Sequence, residues 1–167
     1  VVVGSPYDDQ FGSNSGTAYI YRRDGNLWVQ EAKIYPLSGA TRDDFGKSVS
    51  ISADTIVVGA PDSGSYPSGA AYVFTRSGTV WTQSKKLSVQ DYTSDDDFGV
   101  SVSIDGDLIA VGTISDREYG YDSGAAYVFE RKNGAWQQTA KLIDMDGHSY
   151  DRLGNAIHCS GDKVIIG

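Results

Sequence analysis

The chain has 167 residues, enough for one domain with its own core, and a composition of 40% hydrophobic and 22% charged residues suits a globular protein. A formal net charge of −8 without a basic stripe argues against nucleic acid as a partner. The lack of any long apolar run argues against membrane insertion by a helix, and the single cysteine, Cys159, leaves no intrachain disulfide.

Val1 to Gly4, "VVVG", opens the chain as an apolar strand. A loop rich in Asp, Ser and Gly follows and leads into "SGTAYIY", a second strand. "RRDGN" then turns the chain into a third strand beginning at Trp28. After another long loop, "SVSI" at 48–51 alternates polar and apolar residues, the pattern of a half-exposed strand. "TIVVG" at 55–59 is a β-branched run expected to be covered on both faces, "GAAYVF" at 69–74 is the next strand, and "WTQSKKL" at 81–87 the next. The same four strands return from 101 to 142, and the chain ends on "AIHCS" and "VIIG".

Independent landmarks keep this spacing. Trp28, Trp81 and Trp136 are separated by 53 and then 55 residues, and Gly16, Gly69 and Gly124 repeat at the same intervals. So do Phe45-Gly46, Phe98-Gly99 and the degenerate Leu153-Gly154. With strands named a to d in the order of the complete copies, residues 1–167 form one repeat region. It divides into a partial unit 1–43 (strands b, c, d), full units 44–96 and 97–151, and a partial unit 152–167 (strands a, b). No segment carries a sustained helical period. Repeats of four short strands point to an all-β fold of β-propeller blades, part of a larger propeller or of an assembly. The a–b turns ("SADT", "DGDL", "SGDK") and the c–d turns are tight hairpins, whereas the b–c and d–a loops are long and variable. An antiparallel meander puts the two kinds at opposite ends, one trimmed and one elaborated, and recognition resides on such elaborated loops.

The stretch "DDFGKSVSISADTIVVGAPDSGSYPSGAAYVFTRSGTVW" resembles an FG-GAP repeat, through Phe45-Gly46 and Gly59-Ala60-Pro61. The resemblance implies a β-propeller like the headpiece of integrin α subunits, extracellular or on the cell surface and engaged in adhesion or ligand binding. The family's calcium loops are not expected here. The a–b hairpins hold only Asp54, Asp105, Asp107 and Asp162 and are too short to wrap a calcium ion. No cofactor is implied.

The candidate ligand-binding residues are the loop tyrosines and carboxylates Tyr7, Asp8, Asp9, Asp62, Tyr66, Tyr92, Asp116, Tyr119 and Tyr121; Tyr35 and Tyr150 lie in the same loops. Tyrosine beside Ser, Gly and Asp suits adaptable recognition of a protein or glycan. The segment "DMDGHSYD" offers Asp144, Asp146 and Asp151 as a weak metal candidate without the terminal glutamate of an EF-hand loop. Structural roles are expected for Trp28, Trp81 and Trp136 as anchors between blades and for Phe45 and Phe98 in the core. Asp43, Asp96 and Asp151 are expected to brace the turn into strand a. Adjacent His158 and Cys159 face opposite ways on a strand and make no catalytic pair. With no nucleophile elbow, phosphate loop or metal cluster, no enzymatic activity is expected. The alternative to ligand binding is a structural subunit completed by further blades of the same chain or by neighbouring copies.

Overall fold

The computed structural model describes residues 1–64, 68–89 and 97–167. Those residues contain strands and turns and no helix. The first sheet is β1 (Val2–Ser5), β2 (Thr17–Asp24) and β3 (Leu27–Ile34). The second is β4 (Ser48–Ser52), β5 (Thr55–Ala60), β6 (Ala70–Ser77) and β7 (Val80–Leu87). The third is β8 (Ser101–Asp105), β9 (Leu108–Thr113), β10 (Ala125–Lys132) and β11 (Ala135–Leu142). A last pair is β12 (Ile157–Ser160) and β13 (Lys163–Ile166). Every pairing is antiparallel between chain neighbours, so each full sheet is a four-stranded blade. The fold is the all-β blade architecture that the repeats imply.

The blades bury each other's faces. Alternation along β5 and β6 sends Ile56, Val58, Tyr72 and Phe74 against Ala18, Ile20 and Ile34 of the first sheet. Val57, Ala71 and Val73 point the other way, into a core shared with Ile109, Val111, Tyr127 and Phe129 of the third sheet. That is why all six residues of β5 are buried: the strand lies in a sheet covered on both sides. A register shift recurs at one slot of each c–d pair, at Ile20/Tyr21, Val73/Phe74 and Val128/Phe129. The extra residue lies in strand d (Glu31, Ser84 and Thr139) and bends that strand, while strand c keeps its alternation. Phe45 and Phe98, both buried, pack edge-on against Tyr72 and Phe74 and against Tyr127 and Phe129.

Strand a differs between copies: β4 is half-exposed, as its alternation implies, and β8 is not. In β8 every residue from Ser101 to Ile104 is buried. The serines of both strands, partly exposed in β4 and buried in β8, bond to the backbone of the next blade. Ser48 Oγ donates to the Gly99 carbonyl at 2.8 Å and Ser101 Oγ to the Gly154 carbonyl at 2.6 Å. Ser50 Oγ accepts from Ile104 N at 3.1 Å, and Ser103 Oγ from Cys159 N at 2.9 Å. A polar side chain in an alternating pattern marks a hydrogen-bonded interface here, because neighbouring strands a stand too close for water to intervene. Cys159 fills a buried apolar slot, where burial pushes its thiol up, while His158 is exposed on the opposite face.

The tryptophans divide. Trp81 donates from Nε1 to Glu31 of the first sheet at 2.9 Å and lies beneath the Arg76 guanidinium, 5.5 Å from the ring centre. Trp136 packs against the core shared by the second and third sheets, with Arg131 over its ring. Trp28, expected as an anchor of the same kind, is instead 56% exposed. It stands on the outer face of the first sheet, which no other sheet among the described residues covers.

The tightest contact between blades is backbone on backbone. Gly4, Gly59 and Gly112 lie in one slot of strand b, and a Cβ on any of them would overlap the carbonyl oxygen of Gly46, Gly99 or Gly154 respectively. Gly112→Ala should therefore push the third and fourth units apart and cost about 3 kcal/mol, the upper range for overpacking a core. Urea denaturation of the purified variant checks this; an unchanged midpoint would show that the blades can separate freely at that slot.

Candidate recognition surface

The b–c loop of each blade runs beside the d–a loop that enters the next one. Parallel bridges at Gly16 with Phe45, Gly69 with Phe98 and Gly124 with Leu153 close each junction. At the first junction Arg42 N donates to Ser13 O at 2.8 Å and Asp44 N to Asn14 O at 3.1 Å. At the third, Tyr150 N donates to Tyr121 O at 2.8 Å and Arg152 N to Asp122 O at 3.1 Å. The long loops are thereby zipped in pairs into a rim at one end of the blades.

Some rim carboxylates serve the fold. Asp43 Oδ2 accepts Ala40 N at 2.7 Å and Asp151 Oδ2 accepts His148 N at 2.6 Å, so both brace the turn three residues behind them. Asp8, offered above for ligand contact, takes the Tyr19 hydroxyl and the Lys33 ammonium, each at 3.1 Å. Burial alone would push its carboxyl up, but those two bonds, with the Gln10 N–H and the Lys33 charge, outweigh it and hold the carboxyl below its ordinary value. Asp116 occupies the same slot in the third sheet and is buried, paired with Lys141 at 2.8 Å, which also reaches Glu118 at 2.9 Å. Asp9 accepts Asn14 N at 2.8 Å within its own loop. Asp144 accepts Asp146 N at 3.0 Å, and among the described residues no three His, Cys, Asp or Glu side chains gather to hold a metal.

The aromatic residues behave differently. Tyr7 is 65% exposed, with the Lys47 ammonium 5.8 Å from its ring centre. Tyr119 and Tyr121 are exposed, as is Tyr150 on the adjoining d–a loop. The Tyr121 and Tyr150 ring centres are 5.5 Å apart, and the Arg117 guanidinium lies 4.6 Å from the Tyr121 ring. Two further participants escaped the sequence reading: Arg117, and Phe11, whose ring meets Tyr35 edge-on at 4.8 Å. Aligning the copies on Gly4 and Gly112 would have found Phe11, which shares the slot of Tyr119. Tyr66, Tyr92 and Asp96 lie outside the described residues.

Four-stranded blades stacked face to face and bearing a rim of paired loops define a propeller-type repeat protein. The family model of the FG-GAP repeat matches residues 28–74, 81–129 and 136–167, and the chain belongs to that family. Each match opens on a strand d tryptophan, so the sequence repeat straddles two blades. A search of the curated proteins finds no match.

One pair of acids is poorly accommodated. In the third sheet Ser115 Oγ donates to Asp97 Oδ2 at 2.8 Å. The same two slots of the second sheet hold Asp44, nearly buried, and Asp62, exposed. Burial pushes both carboxyls above their ordinary 3.8, and the Asp44 charge adds to the effect on Asp62. A carboxyl with a raised folded value favours the fold when protonated, so its contribution is full at low pH and lost as pH rises through that value. Asp62→Ser should stabilise the protein at neutral pH by less than about 1 kcal/mol, since water screens the exposed Asp62. The gain should shrink at acid pH, where the wild-type pair takes up protons. Paired thermal melts at the two pH values check it; a gain independent of pH would remove charge repulsion as the cause.

Proposed function

We propose that this protein is a non-enzymatic recognition module of the cell exterior that takes a protein or glycan ligand on the rim of b–c and d–a loops. The observation that carries the reading is the contrast between the two ends of the blades. The hairpin end is short and closed by ion pairs such as Arg76 with Asp54 and Arg131 with Asp107. The rim instead turns Tyr7, Tyr119, Tyr121 and Tyr150 outward from backbones held by hydrogen bonds. FG-GAP repeats are typical of extracellular proteins, which supports the proposed location. Binding of the chain to immobilised extracellular-matrix proteins and glycans should fall with alanine at Tyr7 and Tyr119 and persist with alanine at Arg76 or Arg131. The reverse pattern would move recognition to the hairpin end.

A second reading rests on the outer face of the first sheet. Val1, Val3 and Trp28 are about half exposed there, in the slots where Ile56, Val58 and Trp81 pack against a neighbouring sheet. Another blade, in the same polypeptide or a neighbouring copy, would cover that face. On this reading the 167-residue chain self-associates, and Val3→Asp with Trp28→Ala returns it to one copy by light scattering. A wild-type chain that stays monomeric at high concentration would count against coverage by a second copy.

A further inference from the structure

We propose that Tyr121 and Tyr150, with Arg117, form a stacking subsite for a neutral pyranose of a glycan; the inference rests on the rim reading above and names its ligand.

The repeats supply an internal control. Tyr121 and Tyr150 occupy the same slots as Ser13 and Arg42 of the first junction. The backbone arrangement is common to both: Arg42 and Tyr150 adopt positive φ, 67° and 73°, and each N–H donates at 2.8 Å to the carbonyl of its partner slot. The blade requires that conformation, but serine and arginine meet the requirement as well as tyrosine does. The fold therefore does not account for two aromatic rings at this junction. A bulky residue at positive φ carries a backbone cost that packing does not recover, since the Tyr150 ring is 65% exposed.

The rings are held for use. Tyr121 is fixed through its backbone: its N–H donates to Ser149 Oγ at 3.2 Å, and its carbonyl accepts the Tyr150 N–H. The two rings are tilted by 57°, so they do not cover one another face to face. Arg117 lies against Tyr121 and makes no ion pair among the described residues. The patch thus offers exposed aromatic faces and a guanidinium with unused donors. The next residues in the chain, Asp122 and Asp151, carry carboxylates; the first lies 3.9 Å from Arg152 and the second accepts the His148 N–H.

A pyranose presents the complement: an apolar C–H face for the rings and an edge of hydroxyls that donate to carboxylates and accept from guanidinium. Charge selects a neutral sugar. Glu118, Asp122, Asp144, Asp146 and Asp151 crowd these loops against Arg117 and Arg152, in a chain of net charge −8, so an acidic sugar would meet repulsion. A protein partner would require a desolvated apolar centre, and here the two rings are flanked in the chain by Asp122 and Asp151, with Arg117 against one of them.

The test is an array of neutral, sialylated and sulfated oligosaccharides probed with the full chain, followed by calorimetric titration of the best neutral binder. Neutral glycans should bind. Tyr121→Ala and Tyr150→Ala should each weaken that binding by about tenfold or more, a loss of about 1.4 kcal/mol, with the melting temperature kept. Tyr150→Phe, which retains the ring, should bind like the wild type. Binding restricted to acidic glycans, or no glycan binding at all, would overturn the subsite. So would a fall in melting temperature with unchanged binding, which would make the rings a clasp between loops. Binding that survives both alanine variants but falls with Tyr7→Ala would remove the subsite and keep the rim reading. Loss of binding with Arg131→Ala alone would remove both.

Discussion

Wherever two neighbouring units of this protein meet, a carbonyl oxygen occupies the space in which a side chain would begin. The oxygens of Gly46, Gly99 and Gly154 rest on the α-carbons of Gly4, Gly59 and Gly112, and any Cβ there would collide with backbone. Backbone cannot yield as a side chain does, so this contact sets the distance between blades. The two glycine landmarks of the FG-GAP repeat are the two halves of that one contact, supplied by successive blades.

The close approach has consequences along strand a. At such a spacing no water fits between the inner strands, and each exposed amide or carbonyl must find its partner across the gap. Ser48, Ser50, Ser101 and Ser103 provide those partners. The last pair of strands departs from the pattern, with Ala156 in the slot of Ser48 and Ser101 and His158 in that of Ser50 and Ser103. The outer face of β12 therefore carries neither the serine donor nor the serine acceptor that β4 and β8 use.

A scaffold fixed at its centre leaves the rim free to vary. The loops are tied at their bases by the same backbone bonds at the first and third junctions, so side chains can change without disturbing the blades. Lys33 with Asp8 and Lys141 with Asp116 close the base of the b–c loops by ion pairs within single blades. In the second sheet Ser63 takes that slot and shares a hydrogen bond with the Tyr72 hydroxyl at 3.1 Å. Above this layer the copies diverge: Ser13 and Arg42 at one junction, Tyr121 and Tyr150 at another.

The repeat spacing, the four strands per unit, the tight hairpins and the buried run of β5 were legible in the sequence. Each depends on local periodicity or turn chemistry, which a chain carries in its own order of residues. The turn-bracing role of Asp43 and Asp151 was legible for the same reason, since their partners lie three residues away. Three matters belonged to the tertiary structure. It made interface donors and acceptors of the alternating serines, left Trp28 exposed while Trp81 and Trp136 were packed, and drew Asp8 and Asp116 into ion pairs with lysines about 25 residues distant. Alternation states which residues share a face but not what that face meets, and only the approach of a neighbouring blade decides whether it is wet, bonded or buried.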